Sequence, residues 1–202
     1  KALLSAGCRR FGVAEPLEAL ELSRILPPSL ARVQILSSVL PDEIPAMVKA
    51  GVVLPINGIE EARAISKAAK KLKLTATVHF KIDTGMGRLG ILAADAVETI
   101  KEVFRLPNLD CEGIFSHFAM AYAPQDAFTS EQIKRFKSVY EELVRDGYSF
   151  RKVHIAASDA INNFPETAKP PFNLVRTGIN LHGSFDPNGK RALKLEPVLT
   201  LK

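Results

Sequence analysis

Apolar residues along this chain switch repeatedly between two periods. Short β-branched or apolar runs fall at RFGVA (10–14), RVQILSSV (32–39), GVVLPI (51–56), LTATVHFKID (74–83), LDCEGIFSH (109–117), KVHIAAS (152–158) and LVRTGINLHG (174–183). Between them, apolar positions recur at helical spacing in PLEALELSRIL, DEIPAMVKA, IEEARAISKAAKKLK, AADAVETIKEVFR and TSEQIKRFKSVYEELVRDGY. Pro16, Asp42-Glu43 and Thr129-Ser130-Glu131 are helix-start signals, while Gly51 and Gly147 stand where helices should stop. Such alternation predicts an α/β fold with a parallel sheet under helices, either an open doubly wound sheet or a closed eightfold barrel. Before the first of the seven runs, KALLSAG reads as the tail of a helix whose own strand is missing. A (β/α)8 barrel typically needs about 250 residues, so the expected fold is a TIM-type barrel lacking its first strand. The tail RALKLEPVLTLK alternates apolar and polar and reads as an exit toward a second β domain. The expected organisation is therefore a partial barrel over 1–186 and the start of a connection over 187–202.

Composition narrows the class without naming a chemistry. The chain has 202 residues, 47% hydrophobic and 24% charged, which excludes disordered and fibrous classes. No apolar run approaches the roughly 20 residues of a membrane helix. Cys8 and Cys111 form no disulfide framework and suit a reducing cytosol. A net charge of +5, scattered except for Lys70, Lys71 and Lys73, together with the absence of Trp, argues against a nucleic-acid platform. No metal-ligand spacing stands out.

The densest chemistry lies in His79-Phe80-Lys81-Ile82-Asp83-Thr84-Gly85-Met86-Gly87-Arg88-Leu89-Gly90. Period 2 puts His79, Lys81 and Asp83 on one strand face and Val78, Phe80 and Ile82 on the other. A plain packed core would not accept three ionisable groups in five residues. In a barrel such a face points inward, toward the C-terminal ends of the strands that carry catalysis. The alternative is an edge strand with a solvated face. The glycines also satisfy GxGxxG, with Asp110 as a candidate ribose acid. Lys81 and Asp83, however, break the continuous apolar run expected of a dinucleotide-binding first strand.

HFKIDTGMGRLG closely resembles the signature of the alanine racemase family. The resemblance extends through RFGVA, GIFSHFAMA, the QIKRF helix, HIAASDAI and LVRTGINLHG. It implies a barrel that binds pyridoxal 5′-phosphate, followed by a β domain, in a homodimer. It also implies two groups not found in this sequence: the lysine that holds the cofactor and a catalytic tyrosine presented across the dimer interface. Departures from the family pattern are Ala157, Asp159, Tyr122 and His182, which leave substrate choice open.

By that resemblance Ser158, Gly178 and Ile179 hold the cofactor phosphate, as barrel loops late in the chain commonly do. Arg176 faces the pyridine nitrogen and is braced by His154. An arginine does not readily give up a proton, so the ring nitrogen would stay unprotonated. His117 matches the histidine that hydrogen-bonds the tyrosine, and Arg88 the fork near the phenolic oxygen and the substrate carboxylate. Asp83 and His79 are read as supports behind these groups. Lys81 is expected to be a carbamate, the alternative being a plain ion pair with Asp83. Burial favours its neutral amine, which can take up carbon dioxide, and the matching family lysine is often carboxylated. The resulting carboxylate would grip Arg88. The expected activity is two-base interconversion of L- and D-alanine for peptidoglycan, in the cytosol, with no nucleic-acid or membrane partner. The alternatives are a serine or broad-specificity racemase, or a noncatalytic barrel that binds the same cofactor. The fragment itself, without lysine and tyrosine, is expected to be inactive.

Overall fold

Residues 1–199 are described by a computed structural model, and they divide into two compact units. The first comprises residues 1–81 and 89–113, the second residues 82–88 and 114 onward. The chain of the first unit runs α1 (Ala2–Ser5), β1 (Arg10–Val13), α2 (Pro16–Ile25), β2 (Arg32–Ile35), α3 (Ile44–Ala50), β3 (Leu54–Ile56) and α4 (Ile59–Leu72). It continues through most of β4 (Ala76–Asp83), then β5 (Ile91–Leu92), α5 (Ala96–Val103) and most of β6 (Leu109–Phe115). The second unit holds the ends of β4 and β6, then α6 (Phe128–Arg145), β7 (Lys152–His154) and α7 (Ser158–Asn163). Among the described residues no helix is long and apolar enough to cross a membrane.

Local chemistry accounts for the helix ends. Pro16 opens α2, whose first turn is closed by a reciprocal capping box between Glu15 and Glu18. Gly51 ends α3 in the left-handed conformation at φ 68°, where a Cβ would be strained. The strands pair in parallel, Arg10 opposite Arg32 in β1–β2 and Leu54 opposite Val78 in β3–β4. The charged strand β4 lies between β3 and β6, so it is not an edge. Both of its faces are buried, Val78, Phe80 and Ile82 on one, His79 and Lys81 on the other. In the first unit Phe80 stacks on Phe104 at 5.8 Å; in the second Phe136 packs on Phe172 at 5.7 Å.

One expected strand does not form. Over 174–183 the only strand pairing among the described residues is an isolated parallel bridge between Ala157 and Arg176, followed by a 3-10 turn at Ile179–His182. The partner strand gives out first, because β7 ends at His154 and α7 begins at Ser158. Further back, the Asn173 side chain rather than its main chain accepts the Val153 N–H, at 3.0 Å. Residues 187–199 contain no strand, and the last part of the alternating tail, 200–202, lies outside the described residues.

Candidate functional site

Most of the expected site residues fall in the second unit. Strand β7 ends at His154, His117 follows β6 by two residues, and Arg176 sits at the isolated bridge. The Arg176 guanidinium donates to His154 Nδ1, to the carbonyls of Ser116 (2.7 Å) and Ile155 (3.1 Å), and at 3.4 Å to His117 Nδ1. Its partners are all neutral acceptors. Burial alone pulls its pKa down to about 10, which leaves it a cation at neutral pH. A guanidinium has no acceptor atom, so the Nδ1 of His154 and of His117 must be unprotonated and the ring proton of each belongs on Nε2. The Phe115 ring stacks on His154 at 4.9 Å, and the Arg176 guanidinium lies 5.4 Å from its centroid. This packing holds the cation and the imidazole side by side.

Ser158, at the start of α7, receives two backbone donors on its Oγ: Gly178 N–H at 2.9 Å and Asn180 N–H at 3.3 Å. The two N–H groups converge on a neutral hydroxyl, which, unlike a carboxylate, an anion can replace as their acceptor. Ile179, expected to contact the phosphate, lies between these two donors with its side chain exposed. Asn180 is in turn fixed by Asn162, whose Nδ2 reaches its Oδ1 at 3.2 Å, and by its own Nδ2 on the Ser184 carbonyl at 2.9 Å. Asp159, one residue beyond Ser158, has its pKa raised by burial and by Asp186.

The glycine-rich turn belongs to the same unit. Asp83 turns its carboxylate onto the turn, accepting the N–H of Gly85 (2.8 Å) and of Gly87 (3.0 Å). Those are the donors a pyrophosphate would require, and the next helix starts only at Ala96, so the dinucleotide reading fails on geometry. Arg88 is exposed at the end of this turn.

In the first unit Lys81 is 4% exposed, and its Nζ donates to the Leu36 carbonyl at 2.6 Å. His79 is at the centre of a network that sequence reasoning did not find. Gln34 Nε2 donates to His79 Nδ1 at 3.2 Å, and His79 Nε2 donates to Glu112 at 2.9 Å. Arg10 holds the same carboxylate through two bonds of 2.7 and 3.1 Å. Burial would raise the Glu112 pKa, but the hydrogen bonds from His79 and Arg10 and the Arg10 charge outweigh it and hold the carboxyl well below the usual range. Gly113 makes room for His79, since a Cβ there would meet the imidazole at 2.7 Å.

Comparison with known proteins places the chain in a family and a fold class. The family described as "Alanine racemase, N-terminal domain" matches residues 1–186. An alanine racemase of Methanococcus maripaludis is 37% identical over the whole chain, which covers 54% of that protein. A solved alanine racemase of Clostridium difficile 630, in complex with cycloserine, superposes with a TM-score of 0.89 at 28% identity, over 96% of this chain and 53% of that one. Another, from Bartonella henselae with covalently bound pyridoxal phosphate, gives a TM-score of 0.81 at 27% identity, over 97% of this chain and 54% of that one. The chain thus spans about half the length of the curated relatives it matches. Its α/β fold class, part of a TIM-type barrel, is the one expected from the strand-helix alternation.

Proposed function

The chain belongs to the alanine racemase family through its N-terminal domain, and from that premise we propose that it is the cofactor-holding part of a pyridoxal-phosphate-dependent alanine racemase. The observation that carries this reading is the pairing of a desolvated Arg176 held by neutral acceptors with the two-donor cradle at Ser158. The residues present fit the cofactor. Ser158 with the Gly178 and Asn180 N–H groups, and with Ile179 as the expected further backbone contact, would hold the phosphate. Arg176, braced by His154, would face the pyridine nitrogen. When bound, the cofactor draws electrons from the α-carbon of the amino acid and so acidifies the proton that racemisation removes.

Each residue of the chain then has a definite task. Arg176 keeps its protons and offers a hydrogen bond rather than an acid. His117, with Nδ1 turned to Arg176, carries its proton on Nε2 and can donate it to the oxygen of a catalytic tyrosine. Arg88, exposed at the end of the turn, offers a fork for the substrate carboxylate. Lys81 is carboxylated in this reading: its nitrogen bonds the carbon of carbon dioxide, one proton leaves, and one N–H remains for the Leu36 carbonyl. The two bases, a lysine and a tyrosine, come from outside these 202 residues, and the working enzyme is a homodimer. The chain alone is then inactive, and the D-alanine made by the intact enzyme serves peptidoglycan synthesis in the cytosol. The test is chiral chromatography of L-alanine, L-serine and larger L-amino acids incubated with the full-length protein and cofactor. D-Alanine is expected to form fastest. Preference for serine or a larger substrate shifts the reading to a broader racemase, and no D-product from any of them overturns it.

A further inference from the structure

Helix α6 carries one fully buried side-chain amide, Gln132, among the apolar residues Ile133, Phe136 and Val139. Three of its four hydrogen-bonding capacities go to two loops. Nε2 donates to Thr84 Oγ1 at 3.1 Å and to the His117 carbonyl at 3.2 Å, while Oε1 accepts the Ala119 N–H at 3.0 Å. Thr84 heads the turn that ends in Arg88, and the 117–119 segment contains His117. The direction of the bonds is fixed as well. Ser116 Oγ donates to the Ile82 carbonyl at 2.7 Å, so the 2.9 Å contact between the two hydroxyls must run from Thr84 to Ser116. The order is then Gln132 N–H to Thr84, Thr84 O–H to Ser116, and Ser116 O–H to Ile82. A second link from the same helix confirms the grip on this turn: Arg135 Nη1 donates to the Thr84 carbonyl at 2.9 Å.

We propose that Gln132 is a positioning residue that sets the Arg88 turn and the His117 segment against each other through one amide. The inference rests on the reading of Arg88 and His117 as site residues. An amide is the only common side chain that can donate twice and accept once at this place. A carboxylate would face the His117 carbonyl with like charge and reverse the Thr84 hydroxyl. The expected consequence is specific: loosening the clamp weakens capture of the substrate carboxylate and changes the orientation of His117, while the Ser158 cradle keeps its grip on phosphate.

The experiment uses the full-length protein loaded with pyridoxal phosphate, in wild-type, Gln132→Met, Gln132→Glu and Val139→Ala forms. Val139 is buried on the same helix, and its truncation supplies a comparable loss of melting temperature without touching the clamp. In Gln132→Met, amide exchange at Ala119, Gly85 and Gly87 is expected to quicken by about tenfold or more. KM for alanine is expected to rise at least about fivefold, and the pH profile of kcat/KM to move. Gln132→Glu should be worse than Gln132→Met, and cofactor affinity should stay within about twofold of wild type in both. Exchange, KM and pH profile no different from Val139→Ala overturn the proposal. So does a Gln132→Glu protein that behaves as wild type. A wild-type protein that neither binds the cofactor nor racemises overturns the reading of the site; the exchange measurement then still decides whether Gln132 couples the two loops.

Discussion

Arg176 is a cation held by the His154 and His117 imidazoles and by the carbonyls of Ser116 and Ile155. Its apolar neighbours in LVRTGIN announce a buried cation, but its four acceptors come from the end of β7 and the residues just after β6 and β7, up to 60 positions away. Replacing it by glutamate puts a carboxylate against the Ser116 and Ile155 carbonyls. Arg176→Glu in the full-length enzyme is expected to slow racemisation and to yield pyruvate beside D-alanine, because a carboxylate favours a protonated ring nitrogen and a stronger electron sink. An unchanged ratio of pyruvate to D-alanine would remove Arg176 from the cofactor. Lys81 admits an equally direct check. Lys81→Ala should lose activity that acetate partly restores, and ¹³C-enriched carbon dioxide should give a carbamate carbon signal in wild type that the variant lacks. Full activity in carbon-dioxide-free buffer would rule the carbamate out. Ser158 and Gly178 were named from sequence and meet in the fold, whereas nothing in the sequence singled out Asn180 or Gln132. Their function lies in which neighbours their amides reach, and only the folded chain brings those neighbours within reach.

At the scale of elements, the alternation of periods located nearly every helix and strand, because each buries one face against the next. The expected strand over 174–183 failed for a reason periodicity does not contain: its neighbour β7 stops at His154 and leaves only one bridge. The Gln34–His79–Glu112–Arg10 network was illegible for a related reason. It joins β1, β2, β4 and β6, and Arg10 and Glu112 are 102 positions apart. The network makes stability depend on acid. The Glu112 pKa is lower in the fold than its ordinary 4.5, so its contribution is full above about pH 4.5 and drains away as the pH falls further. Glu112→Gln should cost about 3 kcal/mol at pH 7, by leaving Arg10 and His79 without their carboxylate. The gap from wild type should narrow toward pH 3 in urea titrations; a gap independent of pH would mean that the carboxylate is not the source. Gly113→Ala should cost about 2 kcal/mol by forcing a methyl group onto His79, read from the same titrations.

For the molecule as a whole, the proposed function makes this chain the cofactor-binding share of a racemase whose two bases lie elsewhere. The isolated 202-residue chain is therefore expected to form no D-alanine at any cofactor concentration, and racemisation by it alone would show that the bases are within it. The most direct measurement is hydrogen exchange at the α-carbon. The full-length protein, loaded with pyridoxal phosphate, is given L-alanine in D2O, and the two enantiomers are separated and weighed by mass spectrometry. The account requires deuterium at the α-carbon and an enantiomer ratio that approaches one. L-Alanine recovered undeuterated, with no D-alanine beside it, from protein shown to hold the cofactor would contradict it.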